Sequence, residues 1–175
     1  MKRQTKGLII VNTGNGKGKT TAALGVAFRA SGNGMKVRMI QFIKGKWKTG
    51  ELKAAEFFPN FKMSNMGKGF TWNSKKLEED LKMIHEAWDE CVQAILSGEF
   101  DVVIMDEINY VIDYEFLTVE EVLEVLAKKP PEMHVILTGR NAHPRIIEAA
   151  DLVTEMKLVK HPYKKGIPAQ QGIEF

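Results

Sequence analysis

The sequence predicts an α/β fold, a mostly parallel sheet with helices on both faces, and three observations predict it. Short apolar runs alternate along the chain with segments whose apolar residues recur at helical spacing. One junction, from Leu8 to Ala27, reads as strand, glycine-rich turn and helix, and the apolar run Val102 to Met105 delivers two adjacent carboxylates, Asp106 and Glu107, at its end.

Taken in order, the strands are expected at Leu8 to Asn12, Val37 to Phe42, Phe61 to Met66, Val102 to Met105, Val135 to Thr138 and Leu152 to Leu158. Helices are expected at Thr20 to Ala30, at Leu77 to Leu96 and at Val119 to Ala127. The last opens with the capping box Thr118-x-x-Glu121 and stops before Pro130-Pro131; Pro144 suits the first turn of a short helix to Ala150. On the long helix, Leu77, Leu81, Ile84, Trp88, Cys91 and Ile95 fall three and four residues apart, one buried stripe with His85 at its boundary. With no repeats and no low-complexity linker, residues 1–175 are expected to form a single domain.

The turn Thr13-Gly14-Asn15-Gly16-Lys17-Gly18-Lys19-Thr20 is a device for holding a polyphosphate. Glycines let backbone N–H groups converge on phosphate oxygens, and the start of the helix that continues into Thr21 adds its partial positive charge. Lys19 adds a full charge, Lys17 a second, and Thr20 offers a hydroxyl to Mg²⁺ or Mn²⁺. The general P-loop pattern has glycine where this chain has Thr13. Asp106 and Glu107 then supply the acid that such sites bring to the cation, directly or through water. Arg140, after the strand ending in Thr138-Gly139, is placed to reach a phosphate, because open α/β sheets bind ligands at the carboxyl ends of their strands.

The chain has 25 basic and 22 acidic residues, an excess of three that permits nucleic-acid binding without demanding it. One cysteine, Cys91, excludes an intramolecular disulfide and a cysteine-rich zinc site. The four histidines show no metal-ligand spacing. The basic start of the chain runs straight into a strand and does not read as a signal peptide, and the expected location is cytoplasmic, with no membrane partner. Two loops carry further chemistry. Lys44, Lys46 and Lys48 flank Trp47 in a segment suited either to a large flat ligand or to solvent, and Phe70 and Trp72 stand in the glycine-flanked segment Gly67 to Trp72, an arrangement suggesting a wall that moves.

These pieces coincide in one family. Gly14 to Ala23, Gln41-Phe42-Ile43-Lys44-Gly45, Gly69-Phe70-Thr71-Trp72, Asp106-Glu107-Ile108-Asn109-Tyr110, Thr138-Gly139-Arg140 and the tail from Val159 through Gln170 to Gly172-Ile173 resemble the P-loop ATP:corrinoid adenosyltransferases of cobalamin biosynthesis and salvage. The likeness runs from Gly7 to Phe175, and Thr13 belongs to that family's own form of the loop. It implies a RecA-like P-loop NTPase fold and the transfer of the 5'-deoxyadenosyl group of ATP to the Co(I) of a reduced corrinoid, with triphosphate leaving. It implies ATP bound with its triphosphate reversed, the loop gripping the terminal phosphate. It implies too that Phe70 and Trp72 close on the lower face of the corrin and exclude its axial ligand. It implies a homodimer and a reducing protein such as flavodoxin, and no nucleic acid. Several members carry a longer arm ahead of the first strand, where six residues precede Gly7 here.

From the residues alone, other P-loop functions stay open. A small-molecule kinase uses the same loop, although the thymidine-kinase-like kind usually adds a cysteine-rich zinc site that one cysteine forbids. A RecA-like ATP-dependent nucleic-acid-binding protein would use the Lys44 to Lys48 segment, and a nucleotide switch would need no transfer chemistry at all.

Overall fold

A computed structural model of the chain describes residues 6–43, 49–66 and 77–174. The segments Lys44 to Lys48 and Gly67 to Trp72, with Phe70 and Trp72, lie outside the described residues. Six strands form one sheet: β1 (Ile9–Thr13), β2 (Val37–Gln41), β3 (Phe61–Asn65), β4 (Val102–Asp106), β5 (His134–Thr138) and β6 (Leu152–Glu155). Their spatial order is β3-β2-β4-β5-β1-β6, and every pairing is parallel. The expectation of a mostly parallel sheet thus resolves to a wholly parallel one.

Side chains alternate across the sheet, so each strand feeds both faces. Val103 and Met105 of β4 join a core with Ile84, Trp88, Cys91 and Ile95 of α3 (Leu77–Leu96). Val102 and Ile104 join a second core with Ala23 and Ala27 of α1 (Lys19–Gly32). The expected stripe on α3 is therefore buried from Ile84 onward; Leu81 is half-buried and His85 lies exposed. Cys91 is fully buried, and that burial pushes its thiol pKa far up, as suits a core residue.

Two helices of six residues were not expected, α2 (Gly50–Ala55) and α4 (Ile108–Asp113), each too short to show a helical period. The helix α5 (Val119–Lys128) opens with the expected capping box, Glu121 N–H donating to Thr118 Oγ1 and Thr118 N–H to Glu121 Oε2. His143 caps α6 (Pro144–Ala149), which starts at the expected proline. β6 stops at Glu155 instead of reaching Leu158, because Met156 turns its backbone onto the loop after β1.

All strands run the same way, so the ends of β1, β2, β4 and β5 share one edge of the sheet. β5 lies between β1 and β4, which puts Thr138 between the glycine-rich loop and Asp106.

Candidate active site

The loop between β1 and α1 is built by close backbone approach. Gly16 N–H donates to the Met156 carbonyl at 2.6 Å, and a Cβ on Gly16 would stand 2.7 Å from that oxygen, so no larger residue fits without moving the backbone that follows β6. Gly18, which starts α1, has φ +111°, a conformation glycine adopts without penalty. Thr13, the residue that departs from the general loop pattern, is the last residue of β1. Its hydroxyl accepts from Ala142 N–H at 3.2 Å and its carbonyl accepts from Met156 N–H at 2.8 Å. The side chain is explained as a strut to the loop after β5.

Lys19 is 8% exposed, and the loop itself holds its ammonium, which donates to the carbonyls of Gly14 at 2.9 Å and Gly16 at 2.7 Å. Burial lowers its pKa; Glu107 opposes the shift, Arg140 adds to it, Asp106 opposes it and Lys17 adds to it. An underhydrated cation among these groups is a strong attractor for an anion.

Beneath the loop lies a junction centred on Asp106, which is fully buried. Its Oδ1 accepts from Thr20 Oγ1 at 2.8 Å and from Thr138 Oγ1 at 2.7 Å, and its Oδ2 accepts from Gln41 Nε2 at 2.8 Å. Thr138 Oγ1 in turn accepts from the N–H of Glu107 at 2.9 Å. Glu107 starts α4 in the left-handed region with φ 67°, a costly conformation for a non-glycine residue of the kind that collects at functional sites. Thr20 spends its one hydroxyl proton on Asp106, which leaves its lone pairs facing away from that carboxylate.

An open cleft of about 390 Å³ lies over this junction, with Lys17, Lys19, Thr20, Thr21, Glu51 and Glu107 among its walls. Of the residues predicted from sequence, the structure brings Lys17, Gly18, Lys19, Thr20, Thr21 and Glu107 to this one surface. Asp106 sits below it, reaching the surface through Thr20. Gly14 and Gly16 form the back of the loop against β6, Asn15 is exposed, and Arg140 lies outside the wall although its charge is felt at both Lys19 and Tyr110.

Sequence reasoning did not single out Glu51 on the cleft wall, Gln41 and Thr138 beneath it, or the tail residues beside it. Gln41 and Thr138 complete the junction, and Gly172, Ile173 and Glu174 form a wall of the cleft. The signals for them were indirect: Gln41 opens the Gln41-Phe42-Ile43 segment, Thr138 ends a strand, and Gly172-Ile173 falls in the tail that carries part of the family likeness.

The family model described as ATP:corrinoid adenosyltransferase BtuR/CobO/CobP matches residues 5–175. The chain belongs to this family. Membership makes it an enzyme, a transferase whose substrates are ATP and a corrinoid. Among curated members it is 46% identical over 177 residues to a corrinoid adenosyltransferase of Sinorhizobium sp., covering 99% of this chain and 83% of that one. It is 43% identical to the corrinoid adenosyltransferase of Escherichia coli strain K12 over 97% of this chain and 86% of that one. The corresponding Pseudomonas aeruginosa protein is 42% identical over 99% of this chain and 86% of its own length. Among solved structures, the flagellar accessory protein FlaH of Methanocaldococcus jannaschii superposes with a TM-score of 0.54 at 14% identity, over 86% of this chain and 71% of that one, a likeness of fold alone. The adenosyltransferase fold is thus RecA-like, as expected, with the P-loop strand and the Asp-Glu strand separated by β5.

Proposed function

We propose that this enzyme transfers the 5'-deoxyadenosyl group of ATP to the Co(I) ion of a reduced corrinoid. The cobalt electron pair forms the bond to the 5' carbon, the bond from that carbon to the α-phosphate oxygen breaks, and its electron pair leaves with inorganic triphosphate. The observation that carries this reading is the cleft itself. Its walls hold lysines and a threonine oriented by a buried carboxylate, and no histidine, serine or cysteine lines it among the described residues. Such a site stabilises a polyanionic leaving group and offers no His-paired nucleophile, which suits a reaction whose nucleophile is the substrate's own metal.

In this reading Gly14, Asn15, Gly16, Lys17, Gly18, Lys19, Thr20 and Thr21 hold the triphosphate and Arg140 adds charge to it. The loop grips the terminal phosphate, so that the 5' carbon stays accessible. The donors present also fit a hard divalent cation: Thr20 keeps its hydroxyl lone pairs outward and Glu107 supplies a carboxylate beside it. No cluster of three or more His, Cys, Asp or Glu occurs among the described residues, as suits a cation held largely by substrate phosphates. Thr20 and Glu107 would hold Mg²⁺ or Mn²⁺, and Asp106 would orient Thr20. When bound, the cation neutralises charge building on the leaving triphosphate. Phe70 and Trp72 would wall the lower corrin face. We also read the whole chain as one domain and the enzyme as a cytoplasmic homodimer served by a reducing protein such as flavodoxin, a reading supported by the family likeness.

Anaerobic incubation of the chain with ATP and chemically reduced cobalamin is expected to form a light-sensitive cobalt–carbon bond, followed by its absorbance. No such product from folded protein, with Co(I) present throughout, would overturn the reading.

A further inference from the structure

Segment 170–174 turns back onto the glycine-rich loop. The N–H groups of Ile173 and Glu174 donate to the Gln170 carbonyl at 3.2 and 2.9 Å, and Gly172, Ile173 and Glu174 form one side of the cleft. Glu174 Oε2 lies 2.6 Å from Lys17 Nζ, and its side chain is 16% exposed against 48% for the lysine. A largely enclosed carboxylate on the wall of a cleft that also presents Lys17 and Lys19 has the wrong sign for an anionic ligand. It already holds one of the two cations that such a ligand would need.

We propose that Glu174 is an internal counter-ion of Lys17 that competes with the polyphosphate for it, and so limits how tightly the loop holds triphosphate. The proposal rests on the polyphosphate reading of the cleft. Lys17 cannot give its full charge to both partners. A triphosphate carries several negative charges, so when it arrives it takes Lys17 and leaves Glu174 facing an anion across a narrow cleft. That repulsion favours departure of the leaving group, an advantage where the product carries the charge that the loop is built to bind. The wall itself is made by backbone hydrogen bonds to Gln170, so removing the carboxylate charge leaves the wall in place.

Calorimetric binding of inorganic triphosphate to the full chain tests this. E174Q is expected to bind it about three- to fivefold more tightly than the unmodified chain at low salt, the scale of a half-exposed ion pair, and the gain should shrink as salt is added. In turnover, inhibition by added triphosphate should strengthen by the same factor. Introducing E174Q into K17A should still tighten binding, because without Lys17 the carboxylate faces the arriving anion with no counter-ion beside it. Equal or weaker binding by both E174Q and E174A, each melting like the unmodified chain, would overturn the competition and leave Glu174 as wall alone. Failure of the unmodified chain to bind triphosphate at all would overturn the polyphosphate reading, and the competition with it.

Discussion

The Thr20 hydroxyl donates to the Asp106 carboxylate at 2.8 Å, joining the first turn of α1 to the end of β4 beneath the cleft. Because β5 separates the two strands, Thr138 fills the gap and shares the same Oδ1 at 2.7 Å, while Gln41 holds Oδ2 from the other side. One buried charge thereby fixes side chains from three other elements.

Asp106→Asn tests that junction. Gln41 Oε1 has no hydrogen-bond partner, so its amide can turn over to meet the new Nδ2, and the variant should fold. It loses charge-assisted hydrogen bonds and should be less stable by about 1–2 kcal/mol in denaturant titrations. The transfer rate should fall at least tenfold, because Thr20 is no longer held by a full charge. Unchanged turnover would show that Thr20 needs no orientation from Asp106.

Lys19→Ala should abolish transfer in a folded protein. Among the described residues the ammonium donates to carbonyls of its own loop, Gly14 and Gly16, and it belongs to neither apolar core, so the cores on both faces of the sheet lose nothing. Removal of one such charge at the leaving group should cost on the order of a hundredfold or more in rate. Near wild-type turnover by a variant with native circular dichroism would remove Lys19 from the mechanism.

A pH dependence follows from the depressed pKa of Lys19, and its sign is fixed. Burial lowers the free-state pKa below the ordinary 10.5, and an anion against the ammonium raises it again in the complex. Below both values Lys19 is charged throughout and affinity is full. As pH rises through the lowered value the free loop loses its proton first, so triphosphate binding must take a proton up and weakens before pH 10.5 is reached. Calorimetry in buffers of different ionisation enthalpy should report that uptake, and Lys19→Ala should lose it. A proton count of zero across the alkaline range would show that Lys19 gains no charge on binding.

Much of this was legible in the chain because the signals are local. Six apolar runs match six strands, and the stretch Gly14 to Thr20 together with Asp106-Glu107 contains residues that the structure brings to one cleft or directly beneath it. The junction was not legible, since a sequence cannot tell that β5 inserts between β1 and β4; only that order makes Thr138 a partner of Asp106. The wall made by Gly172, Ile173 and Glu174 escaped for a similar reason, being contributed by the far end of the chain through one ion pair to Lys17. β6 was drawn too long because its apolar run continues to Leu158, while the backbone of Met156 is spent on Thr13 and Gly16.

Phe70 and Trp72 are expected to act on reduction of the cobalt more than on its attack. An apolar wall that excludes the axial ligand makes Co(II) easier to reduce, whereas Co(I) already made by a strong reductant no longer needs the help. Replacing either by Ala should therefore slow reaction from Co(II) with a mild reductant far more than reaction from pre-formed Co(I). Equal losses in the two assays would assign these side chains to packing or binding.

The products separate adenosyl transfer from every kinase or ATPase use of the same loop. If Co(I) attacks the 5' carbon, all three phosphates depart together, and nothing in the site has to activate water. Chromatography should then find inorganic triphosphate and adenosylated corrinoid in equal amounts. ADP and orthophosphate should be scarce, and without reduced corrinoid ATP should persist, because the proposed reaction takes its nucleophile from the corrinoid and directs it at the 5' carbon instead of the γ-phosphate. Corrinoid-independent release of ADP at a comparable rate would mean that the loop presents the γ-phosphate to water as an ATPase does, and the proposed orientation of ATP over Lys19 and Thr20 would be wrong.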